Sequence, residues 1–302
     1  MTYLQLVAHL FLLVFWMRLW VKPGESFSFN PFLSGPGRLG DTVVAFLRPA
    51  LGLSDRAAPL VLLAFLWVFQ AMFFARFGKA WHLSFGMVQF MPPQETLAWG
   101  IQFAYSALHS AQFLVQAWTV YFFTRLLAPP NCSTRAQEAF AFFMNPFSRL
   151  PLLIQPLVLL ALHLALAFAV IRMGALSHVG LPKQDATLFV SGAFTSGHVL
   201  RQSVATGCVA AMSFANGLET LIYSIIFFIL GGLVMVLAGA QTLSVIFRES
   251  VDALMGRFAR NPAATGGGLD FTPILFIFVV SFINGNVQVL LSRLLLMPLP
   301  FL

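Results

Sequence analysis

Six apolar runs, at 3–21, 57–77, 97–127, 151–174, 219–247 and 271–296, constrain this chain more than any other feature. A helix rises about 1.5 Å per residue, so roughly 20 apolar residues cross the ~30 Å hydrocarbon core of a bilayer. Only 9% of the 302 residues are charged, against about 25% in soluble domains. That is too few to coat a water-soluble globule. Together with a mean hydropathy of +0.86, this predicts an all-α integral membrane protein with about six transmembrane helices and excludes soluble enzymes and disordered chains. The first run starts without a basic region before Leu4 or a small-residue cleavage pattern after it, so it reads as a retained helix.

The runs fall into three pairs whose connections can be overlaid. Phe46-Leu-Arg-Pro49 is followed ten residues later by Pro59-Leu-Val-Leu-Leu-Ala, and Phe143-Met-Asn-Pro146 ten later by Pro156-Leu-Val-Leu-Leu-Ala. The third copy runs Phe258-Ala-Arg-Asn-Pro262 and then, eleven later, Pro273-Ile-Leu-Phe-Ile-Phe. An arginine closes the first helix of each copy: Arg18, Arg125 and Arg248. Chance likeness of apolar helices explains the apolar matches but not the near-equal proline spacing, so the expectation is a repeat of hairpin units. The units are 1–78, 97–175 and 219–297, with a connecting segment at 176–218 that has room for an interfacial helix around 198–214.

Each connection is amphipathic at helical spacing. Leu39, Val43, Phe46, Leu47 and Ala50 share one face in the first, Phe140, Phe143, Met144 and Phe147 in the second, and Val251, Leu254, Met255 and Phe258 in the third. Helices too short to span and too apolar on one side for water belong in the membrane interface. Eleven of the 17 basic residues (Arg18, Lys22, Arg38, Arg48, Arg56, Arg125, Arg135, Arg149, Arg248, Arg257 and Arg260) lie in these connections. The positive-inside rule then places the connections on the cytoplasmic or stromal side and both termini opposite, in a bacterial inner or organellar membrane. The net charge of +7 is spread thinly over loops, which suits anionic headgroups and not nucleic acid.

No motif for chemistry stands out. Phosphate-loop, nucleophile-elbow and zinc-protease patterns are missing from the sequence, as is any pair of carboxylates within a run. Cys132 and Cys208 are far apart, with no disulfide or metal spacing. His9, His109 and His163 fall inside runs, where paired histidines could ligate a haem. A neutral histidine bonded to a neighbouring helix is the commoner outcome, and the three do not occupy equivalent repeat positions, so no cofactor beyond structural lipid is expected. Asp270, before Phe271-Thr272-Pro273, and Asp55, with Ser54, are expected to cap the helices that follow them. The arginines at 18, 125 and 248 are expected at headgroups or at a partner. Gly231 and Gly232, in a stripe of small residues, fit close helix packing within the chain or against another subunit.

Arg18-Leu-Trp20, Asn30-Pro31-Phe32 and Phe46-Leu-Arg-Pro49, with Gly266-Gly-Gly-Leu-Asp-Phe-Thr-Pro273 leading into a helix, resemble the unit of the YggT (YlmG) membrane protein family, over 12–75 and 225–290. The resemblance implies a bacterial or plastid membrane protein tied to osmotic stress, envelope or division functions or the assembly of membrane complexes, here with three hairpins in place of the usual one or two. The resulting expectation is a non-catalytic accessory subunit, scaffold or assembly factor that binds other membrane proteins and anionic lipid. The alternative is a transporter or channel whose path is lined by the three histidines, Gln102, Gln112, Gln116 and Asn284.

Overall fold

The computed structural model describes residues 3–21, 30–77, 83–91, 99–128, 134–173, 176–179, 199–259 and 271–296. Among these, the helices are α1 (Tyr3–Trp20), α2 (Pro31–Leu51), α3 (Ala57–Phe77), α4 (Trp99–Leu127), α5 (Arg135–Phe143), α6 (Gln155–Arg172), α7 (Val199–Leu237), α8 (Gln241–Met255) and α9 (Thr272–Leu296). A small antiparallel sheet joins them, with β1 (Leu83–Phe85) paired to β2 (Val88–Met91) and β2 to β3 (Leu176–Val179). The fold is all-α apart from this sheet, and α6, α7 and α9 are long and apolar enough to cross a membrane. Val7–Trp20 of α1 and Ala57–Phe73 of α3 are shorter apolar stretches.

The chain divides into two compact units. The first comprises Met1–Gln70, Val120–Leu152 and Leu221–Phe278, and the second Ala71–Thr119, Leu153–Thr220 and Val279–Leu302. All three amphipathic helices, α2, α5 and α8, belong to the first unit, where α5 packs on α1, α2 and α8.

Local signals set the ends of these helices. Asn30 caps α2 by accepting from the Phe32 N–H at 3.0 Å, with Pro31 at the first position, where a missing N–H costs nothing. Thr134 and Gln137 form a reciprocal capping box at the start of α5. Within the unit, Val14 and Phe15 of α1 pack with Val44 of α2 and Ala58 and Leu62 of α3. The Trp16 indole donates to the Asn145 carbonyl at 2.6 Å.

The structure corrects several sequence expectations. The run 219–247 is two helices. Gly239 takes a φ of +73°, a left-handed turn that glycine adopts without steric cost, and the chain restarts as α8 at Gln241. The segment 198–214 is not a separate interfacial helix but the start of the 39-residue α7. In α2 the side packed on the protein is Leu33, Gly37, Gly40 and Val44, whereas Leu39 and Phe46 point outward, Phe46 at 76% exposure. The α5 helix stops at Phe143, because a proline at 146 cannot continue it. Phe258 is half exposed and packs at a tilt against Phe276, with ring centroids 5.6 Å apart.

The second unit is built around the β-hairpin. Leu83, Phe85, Val88 and Phe90 are fully buried and pack with Tyr105 and Val115 of α4, Leu166 and Val170 of α6, and Val209 and Met212 of α7. The sequence reading named no strand here, although the alternation Leu83, Phe85, Val88, Phe90 around Gly86 carries the strand period. Gly86 turns the hairpin at φ +68°, with the Gln288 amide lying where a Cβ would stand.

Candidate functional site

Polar side chains in the second unit concentrate along one side of α4. Tyr105, Gln112 and Thr119 recur every seven residues, with Gln116 on the same side, and all four are buried. Facing them are His163 of α6, Ser213 of α7 and Gln288 of α9, also buried. Seven residues are close to two turns of helix, so this sequence builds a polar seam about 21 Å long from Tyr105 to Thr119.

The hydrogen bonds in the seam run in one direction. The Thr119 hydroxyl donates to the Val115 carbonyl at 2.7 Å, so its oxygen accepts from His163 Nε2–H at 3.0 Å. His163 Nδ1 then accepts from the Ser213 hydroxyl at 2.9 Å. Ser213 Oγ accepts in turn from Gln116 Nε2 at 3.3 Å, and that amide also donates to the Ser213 carbonyl at 2.9 Å. The tautomer is assigned from this network: a neutral imidazole with one donor and one acceptor satisfies every link. A second set of bonds holds the hairpin. Gln112 donates to the Ser84 carbonyl, and Gln288 donates to the Met212 carbonyl at 2.8 Å while its Oε1 accepts from the Met87 N–H at 3.4 Å.

No family model, curated protein or solved structure matches this chain. The chemistry of the site therefore rests on its own geometry.

The Ser213 and His163 pair has the separation of a nucleophile and its base. Both are fully buried, however, and a threonine hydroxyl stands where an orienting carboxylate would. In lipid, where helices gain little by hiding apolar surface from one another, such bonds hold α4, α6 and α7 in register. Two polar atoms of the seam are left over: the Tyr105 hydroxyl and Gln116 Oε1 have no hydrogen-bond partner among the described residues.

The residues singled out in the sequence are placed as follows. His163 cannot serve as a haem ligand as it stands, since both ring nitrogens are engaged by hydroxyls. His9 is buried in the first unit, and His109 lies on α4 in the second. Among the described residues no three His, Cys, Asp or Glu side chains gather as a metal site. Of the polar-path candidates, Gln112, Gln116 and His163 join the seam; Asn284 is buried on α9 and Gln102 half-buried on α4.

Arg18 is tied within the protein, to Asp41 of α2 at 2.7 Å. Arg125 donates to the carbonyls of Ser148 and Leu150 at 3.2 and 3.3 Å. Arg248 is exposed and makes no ion pair or side-chain hydrogen bond among the described residues. Asp55 is not the cap of α3: it pairs with Arg48 at 2.6 Å, and Ser54 takes the capping role, its Oγ accepting from the Ala57 N–H at 3.3 Å. Asp270 and Cys132 lie outside the described residues. Gly231 and Gly232 are covered by Phe247 of α8 within the first unit, the Phe247 ring sitting where a Cβ on Gly231 would be built. Ser213, Thr119, Tyr105 and Gln288 were not singled out from the sequence; the seven-residue polar spacing on α4 is the signal that points to the first line of the seam.

Proposed function

We propose that this chain is a non-catalytic integral membrane protein that serves as an accessory subunit, scaffold or assembly factor of a larger membrane complex. The observation that carries the reading is the outward face of its apolar helices. On α9, Phe278 and Phe282 are 70% and 65% exposed, and on α7 Phe227, Leu230, Leu233, Val234 and Leu237 are exposed together. Water would not tolerate such faces, whereas lipid tails or foreign helices match them. In the seam, His163 and Ser213 are engaged with each other and with Thr119 and Gln116, and the chain of bonds ends at the Val115 carbonyl, which suits a structural role.

In this reading α1, α3, α4, α6, α7 and α9 span the membrane as three parallel hairpin units, with α2, α5 and α8 lying in the cytoplasmic or stromal interface of a bacterial inner or organellar membrane. The gathering of those three amphipathic helices in one compact unit supports it. The YggT-like segments are in keeping with the role, which does not depend on them. Two measurements test it. In sealed vesicles, an impermeant thiol reagent should reach Cys132 from the positive side alone. A photo-crosslinking residue placed at Leu230 or at Phe282 in the native membrane should capture one defined integral membrane protein. Crosslinks to lipid alone at both positions, or solute flux by the purified chain in liposomes, would overturn the scaffold reading.

A further inference from the structure

We infer that the first unit docks on anionic phospholipid through four arginines, Arg38, Arg56, Arg135 and Arg248, and not through Arg18 and Arg125. The inference rests on the membrane reading above and names its lipid partner. It begins with which cations are already committed. Within this unit Arg18 is held by Asp41, Arg48 by Asp55, Arg125 by two carbonyls, Arg149 by Asn145 and Arg257 by the Ala128 carbonyl. The four named arginines are exposed, and among the described residues their side chains make no ion pair or hydrogen bond. Arg38, Arg135 and Arg248 sit on the amphipathic helices α2, α5 and α8, and Arg56 directly precedes α3.

The α2 helix shows why the matching partner is a lipid surface and not a soluble anion. Its circumference has three sectors. Leu33, Gly37, Gly40 and Val44 are buried on the protein. Leu39 and Phe46 form an adjoining exposed apolar sector. Arg38 and Thr42 lie beyond it on the polar side, with Asp41 holding Arg18. A helix with protein on one side, exposed aromatic and aliphatic groups next to that, and a free guanidinium beyond meets acyl chains and a phosphate together only at a membrane surface. Guanidinium groups bind phosphate oxygens bidentately, which suits a phosphate headgroup.

The test uses the full chain in liposomes of equal phosphatidylcholine and phosphatidylglycerol, with spin-labelled forms of each lipid reporting relative association. The wild type should prefer phosphatidylglycerol. A basic side chain near an anionic surface is worth roughly fivefold in association, so the combined variant Arg38→Gln, Arg56→Gln, Arg135→Gln, Arg248→Gln should lose most of the preference. The four Arg→Lys counterparts should keep a large part of it. Arg18→Gln with Arg125→Gln should leave it unchanged. The inference is overturned by an absence of headgroup preference, by a preference that survives the fourfold Gln variant, or by inorganic phosphate abolishing the preference where chloride at equal ionic strength does not. The crosslinking experiment reports on protein partners alone, so the scaffold reading and this one fail separately.

Discussion

Ser213 of α7 stands 2.9 Å from His163 of α6, hydroxyl to Nδ1, with both side chains fully buried. Because Thr119 occupies the other ring nitrogen, the imidazole is the centre of a three-helix clamp. Ser213→Ala leaves a buried nitrogen without its donor, which costs about 1–3 kcal/mol. His163→Leu strands the proton of the Ser213 hydroxyl and removes one of the two bonds of Thr119, whose hydroxyl still donates to the Val115 carbonyl, and should cost at least as much. Adding Ser213→Ala to that variant should restore part of the loss, since the stranded hydroxyl leaves with it. Unfolding in mild detergent, read by thermal midpoint, measures all three.

At Tyr105 the opposite sign is expected. Its buried hydroxyl has no partner among the described residues, so Tyr105→Phe removes an uncompensated desolvation and should leave stability unchanged or raise it by up to about 1 kcal/mol. A clear fall in midpoint would reveal a polar group or water on that oxygen.

The hairpin depends on Gln288. Gln288→Leu removes the acceptor for the Met87 N–H and the donor to the Met212 carbonyl. Hydrogen exchange should speed up at Met87, with a destabilisation of about 1–2 kcal/mol. Gly86→Ala should do more harm than a usual surface change, because a left-handed φ and the Gln288 amide both oppose a side chain there.

Gly231→Leu should disturb the packing of α7 on α8 and lower stability by about 1–3 kcal/mol. Phe247 is the cause, so Phe247→Ala combined with Gly231→Leu should be less damaged than the two single changes predict. A release of partners with unchanged stability would instead place the glycines on an outer surface.

The Arg18 and Asp41 pair, with Asp41 half exposed to screening, is worth little: Asp41→Asn should cost less than about 1 kcal/mol, and added salt should shrink the difference.

The class of the protein was legible in the sequence because it depends on sums. Runs of about 20 apolar residues and a scarcity of charge require helices in lipid whatever their arrangement. Caps were partly legible for the same local reason: the pattern located the start of α3 within two residues and named Asp55, with Ser54, as its cap, of which Ser54 takes the role. Ser54 and Asp55 both suit a helix start, and only the position of Arg48 draws the aspartate away.

Other features depended on what lies opposite a residue. Heptad spacing puts Tyr105, Gln112 and Thr119 on one side of α4, but the sequence does not say that His163 and Ser213 face them. The same holds for α2. Its apolar arc covers about half the circumference, and periodicity alone cannot tell which half meets protein. Packing selected Leu33, Gly37, Gly40 and Val44, where two glycines admit close approach, and turned Leu39 and Phe46 outward. The sequence by itself determined a helical membrane chain with three amphipathic connections, since hydropathy and periodicity are properties of each segment. Tertiary structure alone decided which arginines are spent on internal partners and which remain for others, because an ion pair is a relation between segments far apart in the chain.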